Sequence, residues 1–303
     1  MKIGHISDIH WLDIHDTKIT DFLNKRISGG INLLAGRSRI HSTKTAQAAI
    51  EKIKELGCTH LIVTGDLTNL ALPAEFNSVR MALNRYFADD KMTIVPGNHD
   101  FYTRESLVAH RFEKYMYRTA PGNLDFGCKD TWPFVRIVKD IAFIGVNSAQ
   151  PRPWFVAAGR VGDQQLDMLD KALSHPEVAS RTKIVALHHH LYRILQTPGE
   201  SLRKLEDAPE LLDICADRKV NMIVHGHNHD YSIKRFGKMI IAEAGSCSVC
   251  EFKKPNRAGK FNVYTIAENQ IRIDTWRFEN NKFNLWKSWN PDELETIDRD
   301  AFV

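Results

Sequence analysis

Five short apolar runs in this chain each stop at a carboxylate, an amide or an imidazole. Residues 3–7 run into Asp8-Ile9-His10, and residues 61–65 into Asp66. Residues 92–97 end at Asn98-His99-Asp100, 184–187 at His188, and 222–226 at His227-Asn228-His229. Short runs this rich in Ile and Val read as buried strands. Amphipathic stretches of helical period lie between them, at 43–56, 74–87, 104–117, 163–173 and 208–217. Strands alternating with helices predict an α/β fold around a buried sheet. In open α/β sheets, ligands bind at the carboxyl ends of the strands, which is where all five polar sets fall. Beyond residue 230 the pattern changes to strand-like runs at 231–235, 238–242, 260–266 and 270–278. The expected organisation is one domain over 1–278, interrupted by a basic insert at about 18–44. A tail at 279–303 carries Phe283, Trp286 and Trp289 and is expected to pack on the domain.

The donor set decides the chemistry. Asp8, His10, Asp66, Asn98, His188, His227 and His229 offer nitrogen and oxygen and no thiolate. That suits hard or borderline divalent ions such as Mn, Fe, Zn or a mixed pair. Seven donors exceed what one tetrahedral ion takes, but they suit two ions if one carboxylate bridges. Two such ions about 3.5–4 Å apart can polarise a phosphoryl group and generate a hydroxide nucleophile near neutral pH. Gly65, Gly97 and Gly226 precede these residues, as a backbone turning sharply off a strand requires.

The ordered blocks Asp8-x-His10, Gly65-Asp66, Gly97-Asn98-His99-Asp100, His188 and Gly226-His227-x-His229 resemble those of the calcineurin-like metallophosphoesterase superfamily. The resemblance implies a four-layer α/β/β/α sandwich of two mixed sheets flanked by helices. It also implies that Asp8, His10 and His229 hold one ion, that Asn98, His188 and His227 hold the other, and that Asp66 bridges them. His99 would face the substrate and stabilise or protonate the leaving oxygen, with Asp100 hydrogen-bonded to its ring. The implied reaction is hydrolysis of a phosphoester by a metal-bridging hydroxide.

Gly65-Asp66-Leu67-Thr68-Asn69 lacks the arginine that follows this aspartate in the protein phosphatases of the superfamily, which disfavours that activity. The His188-His189-His190 block is similar to the cyclic-nucleotide phosphodiesterase-like (class III) branch, so phosphodiesters are the expected substrates. A lipid-linked or nucleotide-sugar pyrophosphate is the alternative, although His99 departs from the arginine typical of the UDP-diacylglucosamine hydrolases. A non-catalytic scaffold is the alternative of another class. His190 and Arg104 are candidate substrate contacts. For each there is a blander reading, as a neighbour of a ligand and as a surface residue at a helix start. His5 reads as a packed histidine, Asp13-Ile14-His15 as a loop, and Cys247 and Cys250 as an incidental pair.

The net charge of +4 over 303 residues does not by itself argue for nucleic acid. Its distribution is uneven: Lys25, Arg26, Arg37, Arg39 and Lys44 fall within 22–50 with no acidic residue among them. The insert at 18–44 is therefore a surface loop, a cap attracting polyanions, or a segment meeting anionic lipid at a membrane surface. No run approaches a membrane span, no signal segment is visible, and five scattered cysteines suit a reducing compartment. A cytoplasmic location is expected, with attachment to a membrane surface as the alternative.

Overall fold

The computed structural model describes residues 1–15, 40–117, 121–153, 156–192, 202–250, 257–267 and 270–302. Most of the basic insert lies outside these residues, so the readings placed on it are not addressed by the fold.

Two six-stranded sheets face each other. The first contains β1 (Lys2–Ile6), β2 (His60–Thr64), β3 (Met92–Val95), β10 (Lys260–Ala267), β11 (Gln270–Glu279) and β12 (Lys282–Trp289), in the order β12-β11-β10-β1-β2-β3. The second contains β4 (Phe134–Val138), β5 (Ile141–Gly145), β6 (Thr182–Ala186), β7 (Met222–His225), β8 (Ser232–Phe236) and β9 (Met239–Glu243), in the order β4-β5-β6-β7-β9-β8. Strands β1, β2 and β3 run parallel, as do β5, β6, β7 and β9, while the flanking strands are antiparallel. Both sheets are thus mixed.

Between the sheets lies a core of Ile3, Ile62, Val95, Phe143, Ile184, Val224, Ile240 and Tyr264. Each parallel strand is apolar on both faces because helices cover its other side. Helices α1 (Thr43–Glu55) and α2 (Pro73–Asn84) pack on the outer face of the first sheet, with α3 (Arg104–Val108) and α4 (Arg111–Met116) beside them. Helices α5 (Asp163–Ser174), α6 (Pro176–Ala179) and α7 (Ala208–Asp217) cover the second sheet. The result is a four-layer α/β/β/α sandwich.

Local sequence explains the placement of α1. Ser42 caps its N-terminus by accepting a hydrogen bond from Thr45 N, and Ala46, Ala49, Ile50 and Ile53 are buried at helical spacing. Each fully buried isoleucine contributes ~1.5–3 kcal/mol. The helix approaches β1 so closely that a Cβ on Gly4 would stand 2.3 Å from Ile53 Cγ2.

Three features differ from the sequence expectations. The helical stretch 104–117 is two helices, because His110 adopts the left-handed conformation (φ 47°). Strands β4 and β12 are additional. Strand β12 continues the first sheet through its antiparallel pairing with β11.

Candidate metal centre

The loops leaving β1, β2, β3, β6 and β7 meet at one edge, where the two sheets are tied together. Ser7 forms a parallel bridge to Ser246, Cys247 N donates to Ser7 O at 3.1 Å, and His227 N donates to Asp8 Oδ2 at 3.0 Å. Asp8, His10, Asp66, His227 and His229 all have positive φ, between 47° and 85°. They are five of the eleven non-glycine residues with positive φ among the described residues. Such conformations cost of order 1–3 kcal/mol each and persist where the surroundings impose them. Here they turn each side chain back across the strand ends.

The structure brings all seven proposed donors together as two groups of four atoms. In the first, His10 Nε2 lies 2.9 Å from His229 Nε2, Asp8 Oδ1 lies 3.3 Å from His229 Nε2, and Asp66 Oδ2 lies 3.8 Å from His10 Nε2. In the second, His188 Nε2 lies 3.1 Å from His227 Nδ1, 3.3 Å from Asn98 Oδ1 and 3.5 Å from Asp66 Oδ1. The two oxygens of Asp66 therefore face different groups.

These residues fit a cation on three grounds. Asp8 Oδ1 is buried and accepts no hydrogen bond. His188 Nδ1 donates to Thr64 O at 2.7 Å, which puts the ring's lone pair on Nε2, the atom directed at the other donors. The charges of the pocket also favour positive charge at its centre. Burial works against an imidazolium at His188, but Asp66, Asp8 and the Thr64 carbonyl outweigh it and push the ring up to about 9. Burial likewise opposes the Asp66 carboxylate, yet His188 and His99 hold that carboxyl well below its usual range. A divalent cation bound here would take the place of the imidazole proton.

His99 is not a member of either group. Its backbone N–H donates to Asp66 Oδ1 at 2.8 Å, its Nδ1 donates to Asn69 O at 2.7 Å, and its ring stacks on Tyr102 with centroids 5.3 Å apart. The expected bond from Asp100 to this ring is not formed. The Asp100 carboxylate instead accepts from Gly97 N, Leu67 N, Thr68 N and Thr68 Oγ1, at 2.9–3.2 Å. Four donors from the loops after β2 and β3 already converge on it, so the adjacent imidazole turns to the Asn69 carbonyl. Burial and the nearby Asp66 push Asp100 up to about 7 despite those bonds. It is a positioning residue, tying the Asp66 loop to the His99 loop.

His190 is 2% exposed and stacks on His227 with centroids 5.5 Å apart, backing that ring from the interior. Arg104 is exposed and lines a cavity of ≈ 510 Å³ with Tyr102, Thr103, Leu107 and Arg152, so it adjoins His99 through Tyr102. His5 is fully buried between Tyr264 OH and Thr64 Oγ1.

Two residues join the site without a sequence signal. Asn69 Nδ2 donates to His10 O at 2.5 Å, linking the first and second loops. The ring of His41 stands edge-on to those of His10 and His229, with centroids 4.6 and 5.2 Å away. No motif surrounds His41, and only its spatial neighbours reveal it.

Solved structures with the same fold include GAP50, the anchor in the inner membrane complex of Plasmodium. Its TM-score is 0.50 at 14% identity, covering 95% of this chain and 89% of that one. A putative 5'-nucleotidase from Staphylococcus aureus also has a TM-score of 0.50 at 14% identity, covering 99% of this chain and 56% of that one. TT1561 of Thermus thermophilus has a TM-score of 0.50 at 9% identity, covering 90% of this chain and 97% of that one. No curated protein matches the sequence. The family model for calcineurin-like phosphoesterases matches residues 1–231, a span containing every strand end described above, and this chain belongs to that family.

Proposed function

We propose that the chain hydrolyses phosphodiesters at a centre holding two divalent cations, in the manner of the cyclic-nucleotide phosphodiesterase-like branch. The observation that carries this reading is Asp66, whose Oδ2 faces His10 while Oδ1 faces His188. Asp8, His10 and His229 would complete one position, and Asn98, His188 and His227 the other. When bound, ions such as Mn, Fe or Zn would draw charge from the phosphoryl oxygens and lower the pKa of the attacking water.

The protein's own groups supply the rest. Because Nδ1 of His99 donates to Asn69 O, the ring's proton traffic runs through Nε2, which would protonate the leaving oxygen. Asp100 fixes the loop that presents this ring. The segment after Asp66 holds Leu67, Thr68 and Asn69, all buried, and no arginine. That absence favours a singly charged diester over a monoester dianion, which needs more positive charge to grip it.

The test is turnover of bis(4-nitrophenyl) phosphate against 4-nitrophenyl phosphate by protein reconstituted with Mn, Fe, Zn or Co. Preference for the diester is expected, together with collapse of activity and metal content in a folded Asp66→Asn variant. Undiminished hydrolysis by that variant overturns the reading.

The basic insert at 18–44 supports the second reading, a lipid-linked or nucleotide-sugar pyrophosphate at an anionic membrane surface. No helix among the described residues is long and apolar enough to cross a membrane. Sedimentation with phosphatidylserine vesicles, set against phosphatidylcholine vesicles, separates the two readings. A non-catalytic scaffold role requires no cation, and metal uptake by the purified protein would argue against it.

A further inference from the structure

His41 lies near the end of the basic insert, and the backbone there is clamped to a distant segment. His41 forms an antiparallel bridge to Val249, Ser42 N donates to Ser248 O at 2.9 Å, and Cys250 N donates to Ile40 O at 2.9 Å. These contacts fix the face on which the His41 ring projects. Its Nδ1 lies 2.7 Å from Ser248 Oγ, and Ser248 Oγ in turn donates to Asp8 O at 3.1 Å. This contact engages Nδ1 and leaves Nε2 as the other nitrogen through which the His41 ring can coordinate. A hydrogen bond to the second ring nitrogen orients metal-binding imidazoles in general.

The ring meets His10 and His229 edge-on, at interplanar angles of 66° and 86°, and does not stack on either face. One nitrogen from each of the three rings lies within 4.8 Å of the others. The three imidazoles make one possible donor group for a cation, and it shares His10 and His229 with the group formed by Asp8, His10, Asp66 and His229.

We propose that His41 is a third imidazole at the position formed by Asp8, His10, Asp66 and His229, so that cation binding there pins the end of the basic insert to the centre. The proposal rests on the metal-centre reading above and adds to it a residue outside the five motif blocks. A third imidazole beside His10 and His229 favours transition metals over Mg²⁺ or Ca²⁺, which prefer all-oxygen ligands. It also couples the described part of the insert, residues 40–44, to metal loading through His41.

The test is titration of the metal-free full-length protein with Co²⁺, followed by calorimetry and by the visible d–d bands, which report coordination number and nitrogen donors. In His41→Ala one of the two equivalents should weaken by at least the about 10- to 100-fold that loss of an outer partner costs, with altered bands. Ser248→Ala, which leaves the His41 ring in place, should weaken the same equivalent less. In the Zn²⁺-loaded wild type, the ¹⁵N resonance of His41 Nε2 should move to a metal-bound position, a readout that needs no variant. If His41→Ala binds Co²⁺ with wild-type affinity and spectrum while His10→Ala loses an equivalent, the role of His41 is overturned and the centre stands. If the wild type takes up no Co²⁺, the centre itself is overturned, and the role of His41 with it.

Discussion

A Cβ placed on Gly97 would stand 2.2 Å from Asp66 Oδ1 and 2.3 Å from the backbone nitrogen of Asp66. The backbone of one motif thus rests directly on the carboxylate of another. Gly97→Ala is expected to displace Asp66, to cost ~1–3 kcal/mol as overpacking does, and to lower metal content. Urea denaturation and metal analysis check this, and unchanged stability with full metal content would refute it. His99 calls for the opposite signature. Its side chain belongs to neither donor group, so His99→Asn should keep its metal while kcat falls by about 10²–10⁴-fold, the usual worth of a positioned general acid. Parallel loss of metal and rate would reassign the residue to the donor set.

Helix α2 begins with a buried acid. Glu75 Oε2 accepts from Leu70 N at 2.9 Å and Leu72 N at 3.1 Å, closing the turn ahead of the helix, while Oε1 is buried with no hydrogen-bond partner. Burial pushes its carboxyl up to about 8, outweighing the backbone donors. A pKa raised above the unfolded value of about 4.3 means that the folded state binds this proton more tightly. Glu75 therefore contributes its full stability below about pH 4, and the contribution is lost as pH rises towards 8. Glutamine keeps the acceptor and cannot ionise, so Glu75→Gln should gain on the wild type progressively between pH 5 and pH 8. Urea midpoints across that range test it, and parallel curves would refute it. At this scale the sequence was informative where one periodicity ran unbroken, as in β2 or in α1 with Ala46, Ala49, Ile50 and Ile53. Strand β4 escaped because Pro133 precedes it and Arg136 interrupts it. That guanidinium is buried by donating to Pro121 O and Asp90 O, a tertiary solution that pattern does not reveal. Strand β12 escaped because an edge strand with Leu285 50% exposed and Phe283 buried shows no clean alternation. His41 was invisible for a similar reason, since its place depends on pairing with Val249.

The centre lies on the seam between two sheets that otherwise meet through apolar packing, and this gives metal binding a mechanical role. Asp8 comes from the first sheet, and His227 and His188 from the second. Protein contacts across the seam at this edge include the His227 N to Asp8 Oδ2 bond, the Ser7–Ser246 bridge and the donation from Cys247 N to Ser7 O at 3.1 Å. Deeper in the sandwich, His60 on β2 stacks on Phe143 of β5 at 4.1 Å and bonds Thr93 Oγ1. Burial pushes its ring down to about 3, so it stays neutral and does not use charge to bind the sheets together. Asp66 and His188 come from opposite sheets and face each other at 3.5 Å, as the donors proposed for the second cation position. A ligand that binds the folded state alone stabilises it by about 2.7 kcal/mol at a hundred times its Kd. At about 2 °C per kcal/mol for a chain this long, one cation at that excess should raise Tm by about 5 °C. Calorimetry of chelated and reconstituted protein should show that rise in the wild type. Asp66→Asn should lose most of it, because the bridging carboxylate serves both positions. Phe283→Ala is the control for a change outside the seam. Cutting the packing of Phe283 against Phe261 and Phe278 should cost about 3–5 kcal/mol while the metal-dependent increment survives. Equal Tm with and without metal in the wild type would mean that no cation spans the seam. A full increment in Asp66→Asn would mean that the sheets are joined through other donors.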